Sequence, residues 1–463
     1  MLALYLILTA SPPVRDLTDH GPARRDVTPA MVRSYINNRT AGWSAHAATT
    51  PGFARQTGLA CSACHTAFPG LTATGRAFKL NGYVYRQADS LQGLNPAGKQ
   101  DLALNLNMPL AAMFQTSFTS TSKAQPGAQS TTVFFPDQIS LFAGGEVTPH
   151  LGGFLQLTFD PQSGGFGVDN TDFRYVSHTT MFGQHATYGV SLNNNPTVQD
   201  LWNSTPAWGF PYGSSAAAPS PAASTLIDGN LGQQVAGLTG YTMLGDHLYL
   251  EFGGYTAAPV GLNRPLDSTA AGVMRGVAPY WRVALPLTFG NQYLSIGTYG
   301  MAAQLYPAGV TGPTNRFTDV AADLSYFVPI GTNSFSANAT LIHESQRWDA
   351  GGSANLQNTL TTFRFDAAYH LGHQYAFTVA PFTTTGTADT LLYAPGTMTG
   401  SRTGQPNSSG LIAEVDIMPW QNLRLQFQYT AYGNFNGATT NYDGFGRNAS
   451  HNNTFYFLTW ILF

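Results

Sequence analysis

The only two cysteines of the 463-residue chain fall in Cys61-Ser62-Ala63-Cys64-His65. The C-x-x-C-H spacing is that of covalent c-type haem attachment. A short turn points both sulfurs at the porphyrin edge for two thioethers, and the adjacent imidazole takes one axial position on iron. Three other readings compete. A zinc site needs further Cys or His ligands nearby, and the chain has no other Cys. A redox dithiol belongs in a βαβ context, which this sequence lacks. A plain structural disulfide is the third. The chemistry predicted is one covalently bound haem c on Cys61, Cys64 and His65. By residue type, His20, Met31, His46, Met108 and Met113 are candidates for the second axial position.

The elements that must hold such a group are indicated first by composition. Charged residues make up 10%, against roughly 25% in an average soluble protein, while aromatics reach 13% and Gly stands at 49 copies. No run of about 18 apolar residues exists, and the mean hydropathy is -0.10. A helical membrane protein is therefore excluded. The net charge of -3 and the absence of any Lys/Arg cluster argue against nucleic acid as a partner.

From about Asp101 onward, strand-length segments of alternating polarity are joined in turn by very short links and long Gly/Ser/Thr/Asn-rich loops. Short links occur at Pro149-His150, Phe182-Gly183-Gln184, Gly245-Asp246, Phe289-Gly290-Asn291, Gly331-Thr332-Asn333, Gly372-His373 and Pro419-Trp420-Gln421-Asn422. About seven short turns and about eight long loops give roughly 16 antiparallel strands, with both ends on the short-turn side, the pattern of an outer-membrane β-barrel. Leu423, Leu425, Phe427 and Tyr429 alternate with Arg424, Gln426, Gln428 and Thr430. Phe363, Phe365, Ala367 and Tyr369 alternate with Thr362, Arg364, Asp366 and Ala368. One face suits lipid and the other a wet lumen. A soluble sandwich produces similar alternation, but the chain stops on an aromatic strand, Thr454 to Phe463, that resembles the terminal signature of barrel assembly. Trp281, Trp420 and Trp460 fit interfacial girdles. The same parity, applied from Leu102 to Phe114, turns Met108 outward and Met113 inward. Met113 is thus the predicted second iron ligand, with simple lumen packing as its alternative and His46 as the next candidate. The non-alternating stretch from Asn194 to Gln233 reads as an extracellular loop that folds inward.

The residues around the haem motif carry a resemblance. Phe53-Ala54-Arg55-Gln56-Thr57-Gly58, Phe68-Pro69-Gly70-Leu71-Thr72, Gly75-Arg76-Ala77-Phe78-Lys79 and Asn81-Gly82-Tyr83 look like the N-terminus of the outer-membrane monohaem cytochrome-porin fusions of iron-oxidising bacteria. The resemblance implies an iron(II)-oxidising outer-membrane cytochrome. Such a protein takes electrons from extracellular Fe(II) through its single haem to a periplasmic cytochrome or copper protein. A thioether ligand such as Met113 raises the potential, which suits an acceptor for a weak reductant. The alternatives are a porin-like diffusion channel with a structural or sensory haem, and a conduit for another donor.

The chain is accordingly divided into a leader over 1–50, a haem segment over 51–100 and the barrel over 101–463, with outer-membrane lipid around the last. Met1 to Ala10 resembles the apolar part of a secretory signal, and Ala45-His46-Ala47 offers a second cleavage pattern. A segment of about 50 residues is too short for a core of its own, so it is expected in the periplasmic mouth or lumen. Asp160, Asp169, Asp172 and Asp389 are expected to be solvated rather than to form an iron site.

Overall fold

A computed structural model describes residues 52–66, 70–85, 90–94, 100–105, 108–161, 164–205, 207, 210, 213–258 and 272–463. The leader, and with it His20, Met31 and His46, lies outside them. Three short helices come first: α1 (Gly52–Thr57), α2 (Cys61–Cys64) and α3 (Ala73–Leu80). A hairpin of β1 (Ser90–Leu94) and β2 (Gln100–Asn105) follows. Then come β3 (Leu110–Thr121), β4 (Thr131–Thr148), β5 (Leu151–Asp160), β6 (Gly165–Met181), β7 (Gln184–Asn193), β8 (Val235–Leu244), β9 (Leu248–Ala257) and β10 (Ala278–Phe289). The last eight are β11 (Gln292–Leu305), β12 (Asn315–Ile330), β13 (Asn333–Arg347), β14 (Gln357–Leu371), β15 (Tyr375–Gly386), β16 (Ser408–Trp420), β17 (Leu423–Asn434) and β18 (Thr454–Leu462).

Strands β3 to β18 close into one antiparallel barrel of sixteen. The seam is made by the terminal strand, with Thr454 opposite Thr121 and Leu462 opposite Met113. The chain is a transmembrane β-barrel. Closure leaves no edge unpaired, as a hydrocarbon environment demands of any spanning sheet. The alternation places apolar residues on the outer face: Leu238 and Phe252 are 59% and 58% exposed, while their neighbours Thr239 and Glu251 are fully buried on the inner one. All seven predicted short links are turns at one end. One boundary differs from expectation. The strand read from Leu102 is broken: Gln100–Asn105 pairs with Ser90–Leu94 outside the barrel, and the barrel begins at Leu110. Pro109, which donates no backbone hydrogen bond, stands at that break.

Sixteen strands enclose a bore wider than their own side chains fill. Two insertions occupy it. From the long-loop end, the described residues of 194–234 fold inward as predicted. Asp200 pairs with Arg282 at 3.1 Å, the N–H of Leu226 donates to Glu344 at 2.6 Å, and Gln428 donates to the carbonyl of Gly213 at 2.8 Å. From the short-turn end comes the helical segment. Phe53 stacks on Tyr83 and packs edge-on against Phe78; Gln56 donates to the Gly144 carbonyl at 2.7 Å; Tyr83 donates to Asp172 at 2.7 Å.

The insertions meet inside. The Lys79 ammonium donates to the carbonyls of Val198 and Asp200 at 2.6 and 2.8 Å, and Leu80 packs with Leu201, Trp202, Tyr241 and Tyr249. Gly152 on β5 permits the approach, because a Cβ there would lie 2.1 Å from the Gly82 carbonyl oxygen and 2.9 Å from that of Gly145. Gly152→Ala is therefore expected to leave the barrel folded but to loosen residues 52–85. Trypsin should then cut at Arg55, Arg76 or Lys79 in the variant while sparing the unmodified protein; equal protection in both would refute this packing.

Candidate functional site: a two-cysteine turn in the barrel mouth

Residues Cys61 to His65 form a single tight turn. The His65 N–H returns to the Cys61 carbonyl at 2.9 Å, and neither cysteine is in a disulfide. The chain then doubles back, bridging His65 to Leu71, with the Thr72 N–H on the Cys64 carbonyl at 2.9 Å. Thr72 does two things. Its hydroxyl donates to the Ala63 carbonyl at 2.6 Å and accepts the Gly75 N–H at 3.2 Å, so one side chain caps α3 and pins it to the cysteine turn. Gly75 is required by that contact, since a Cβ there would lie 2.2 Å from the Cys64 carbonyl oxygen.

The turn is anchored to the wall at the short-turn end, where the Cys61 N–H donates to Gln421 Oε1 at 2.7 Å. Gln421 sits between β16 and β17. The neighbouring Asn422 carbonyl accepts the Leu462 N–H at 2.9 Å, and Leu462 registers with Met113. Met113 thus lies at the same end as the cysteine turn, with one strand between it and the β16–β17 hairpin. It is inward-facing as parity predicts and 5% exposed, whereas Met108 is 65% exposed. Gln115 Nε2 lies 3.4 Å from its sulfur.

The lumen wall varies in character. Many inward residues are polar or charged, such as Gln156, Asp172, Arg174, Glu251 and Arg282, and one apolar cluster around Tyr255, Tyr280, Met301 and Ile342 lines another part of it. Beside Met113 the inward residues are Tyr456, Leu458, Trp460 and Leu462, with Phe142 against them. Trp460 was expected in an outer girdle; it instead faces inward, because the inward set of β18 is the even one. Trp420, at 62% exposure, does end its strand at the outer rim.

The residues fit a covalently held haem. Two thiols outside any disulfide share one turn, the histidine follows at once, and the apolar cluster of Met113 stands at the same end of the barrel. Among the described residues no cluster of His, Cys, Asp and Glu has the three ligands a zinc site would need. A reactive dithiol is also disfavoured. Burial pushes both thiols up, Cys64 to about 11 with a further contribution from Cys61, opposite to the depressed value of a redox-active pair.

The flanking motif residues serve as docking contacts, a role the sequence did not reveal. The Arg76 guanidinium lies 4.0 Å over the Tyr293 ring, Lys79 reaches the inward loop, and Gly82 and Tyr83 take positive φ to turn the chain away from α3. Residues 67–69 lie outside the described set.

The acids expected to be solvated are instead tied into the structure. Asp172 accepts from Tyr83, Arg174 and Ser191. Asp169 accepts from Thr158 and Gln233. At Asp389, burial would raise the carboxyl, but bonds from Ser353, the Leu392 N–H, Asn358 and the Ala354 N–H outweigh it and hold the group well below the usual range. The Asp160 side chain lies outside the described residues.

No family model and no curated protein matches the sequence. Among solved structures, the chain is similar to OmpT, an outer membrane protein of Vibrio cholerae, with 10% identity and a TM-score of 0.42 over 76% of this chain and 97% of that one. It is similar to an anion-selective porin from Comamonas acidovorans, with 13% identity and a TM-score of 0.44 over 76% and 98%. OmpF of Salmonella typhi, in complex with daunomycin, gives 12% and 0.44 over 76% and 97%. These identities are too low to transfer a site.

In haem-free protein the raised Cys64 value predicts slow alkylation. At pH 8 the thiolate fraction should fall about two decades below that of an ordinary thiol, on the order of a hundredfold, and the rate should climb only as the pH approaches 11. A pH profile of iodoacetamide labelling checks it. Rapid labelling at pH 7 would restore the redox-dithiol reading.

Proposed function

We propose that this protein is an outer-membrane cytochrome. In this reading it takes electrons from an extracellular donor, ferrous iron first, and passes them through one haem c to a periplasmic cytochrome or copper protein. The resemblance to the monohaem cytochrome-porin fusions is part of that proposal. The observation that carries it is the placement of the C-x-x-C-H turn in the mouth of a spanning barrel, at the same end as the apolar cluster of Met113, Leu458, Trp460 and Leu462. A closed antiparallel barrel with short turns at one end and long loops at the other is the architecture of bacterial outer membranes, where the short turns face the periplasm.

Cys61 and Cys64 would hold the haem covalently, and His65 with Met113 would be the ligands of its iron. When bound, the group supplies one-electron redox chemistry at a potential set by its axial ligands and surroundings. The chain's own residues do the rest. Gln421 fixes the turn to the wall, Thr72 and Gly75 set α3 against it, and Lys79 joins the segment to the inward loop. Such a filled bore favours movement of electrons over movement of solutes.

The porin-like barrel favours a second reading, a diffusion channel whose haem is structural or sensory. The two separate by experiment. Purified holoprotein mixed with Fe(II) at acidic pH should show the reduced haem bands, and Cys61→Ala should lose both haem and iron oxidation. Solute flux in liposomes without haem reduction would decide for the channel. For Met113 as a ligand, Met113→Ala is expected to lower the reduction potential and abolish the near-infrared signature of thioether ligation; an unchanged spectrum would rule Met113 out.

A further inference from the structure

We infer that the long-loop rim of the barrel carries a binding site for the phosphate groups of an outer-leaflet glycolipid, formed by Arg275, Arg316 and Arg347. Arg316 and Arg347 face one another directly across β12 and β13. On β12 the buried inward residues are Asn315, Asp319 and Asp323, so Arg316 points outward with Val320; on β13 Ile342 and Glu344 are inward, so Arg347 points outward with Leu341. Their side chains are 59% and 48% exposed.

The third arginine extends the row. The Arg275 N–H donates to the Gln304 carbonyl at 2.8 Å, and Gln304 registers with Arg316. Met274, next to Arg275, is buried in the lumen cluster and bridges Leu305, so by alternation exposed Arg275 faces outward. Arg275, Gln304, Arg316 and Arg347 therefore stand side by side along the outer surface of the rim.

Like charges placed directly opposite in a sheet are destabilising. Asp349 offsets part of this, at 2.8 Å from Arg347 and 3.6 Å from Arg316, but one carboxylate among three guanidinium groups leaves the row positive. In a chain that is 10% charged and turns Arg174, Arg282 and Arg424 inward against carboxylates, this outward arrangement is conspicuous. Its height identifies the partner. Below the arginines come exposed Thr318 and Ser345, then Val320 beside His343, then Leu341 of the apolar belt. That descent from charge through hydroxyl to hydrocarbon matches the step from headgroup to acyl chain, and the planar guanidinium suits bidentate phosphate binding. The inference requires the long-loop end to face outward and is independent of haem.

The test uses full-length holoprotein in detergent micelles, with bis-phosphorylated lipid A and its dephosphorylated form as probes, and bound lipid counted by native mass spectrometry. The unmodified protein should prefer the phosphorylated lipid by roughly tenfold or more, as expected for several basic residues acting on one anionic headgroup. The R275S/R316S/R347S variant should lose the preference, and the corresponding triple lysine variant should keep most of it. Inorganic phosphate in millimolar excess should leave the preference intact. No preference in the unmodified protein, an equal preference in the serine variant, or loss of the preference to free phosphate would each overturn the inference. Should the triple serine variant fail to fold, the lipid comparison on the unmodified protein and on R347S alone still decides.

Discussion

A sheet that crosses hydrocarbon has to satisfy every backbone N–H and C=O within itself, and closure of β18 onto β3 is the contact that does so here. The rest follows from that closure. The wall is one residue thick and two-faced, so each strand gives half its side chains to lipid and half to the interior. With sixteen strands those inward side chains cannot meet across the bore. Whatever occupies the middle has to come from loops or from outside the barrel sequence, and this chain uses both.

The filling has an electrostatic cost that the chain meets by pairing. Asp172 with Arg174, Asp200 and Asp323 with Arg282, and Glu414 and Asp416 with Arg424 are all buried. Removing one partner of such a pair strands the other's charge and typically costs about 3–5 kcal/mol. Of these pairs, Asp200 with Arg282 joins the inward loop to the wall and so helps fix its arrangement. Lys79 follows the same logic with backbone oxygens: its ammonium is satisfied only when residues 198–200 are folded inward. Segment and loop consequently order each other.

Much of this was legible in the sequence, for reasons that can be named. Strand parity in Leu423 to Thr430 and Thr362 to Tyr369 was readable because one face meets lipid, and the turns were readable because short links at one end tolerate few residue types. The tight turn at Cys61 to His65 was readable because so short a spacing between two cysteines calls for one. What escaped was set by contacts distant along the chain. Nothing local in Leu102 to Phe114 shows that its first part pairs backward with Ser90–Leu94. Trp460 looks like any girdle tryptophan until the apolar lumen wall beside Met113 is seen. Asp172 looks like a solvated acid until Tyr83, 89 residues earlier, is found donating to it. Arg76 and Lys79 were noted only as parts of a motif, and their work is done against β11 and the inward loop.

The apolar wall at Met113 bears on how the cysteine turn and the barrel belong together. A segment that needed only shelter could have docked against any polar stretch of the bore, as Tyr83 does on Asp172. Instead the one end of the segment with the chemistry of a haem ligand is fixed by Gln421 next to the strand whose inward face is Tyr456, Leu458, Trp460 and Leu462. Those side chains are buried among themselves and Phe142, which contributes on the order of 25 cal/mol for each Å² removed from water. On the proposed reading the Met113 cluster is one side of a haem pocket, while the inward loop is gripped by both apolar and polar parts of the wall. On that reading the site would draw on the barrel wall as well as on the segment.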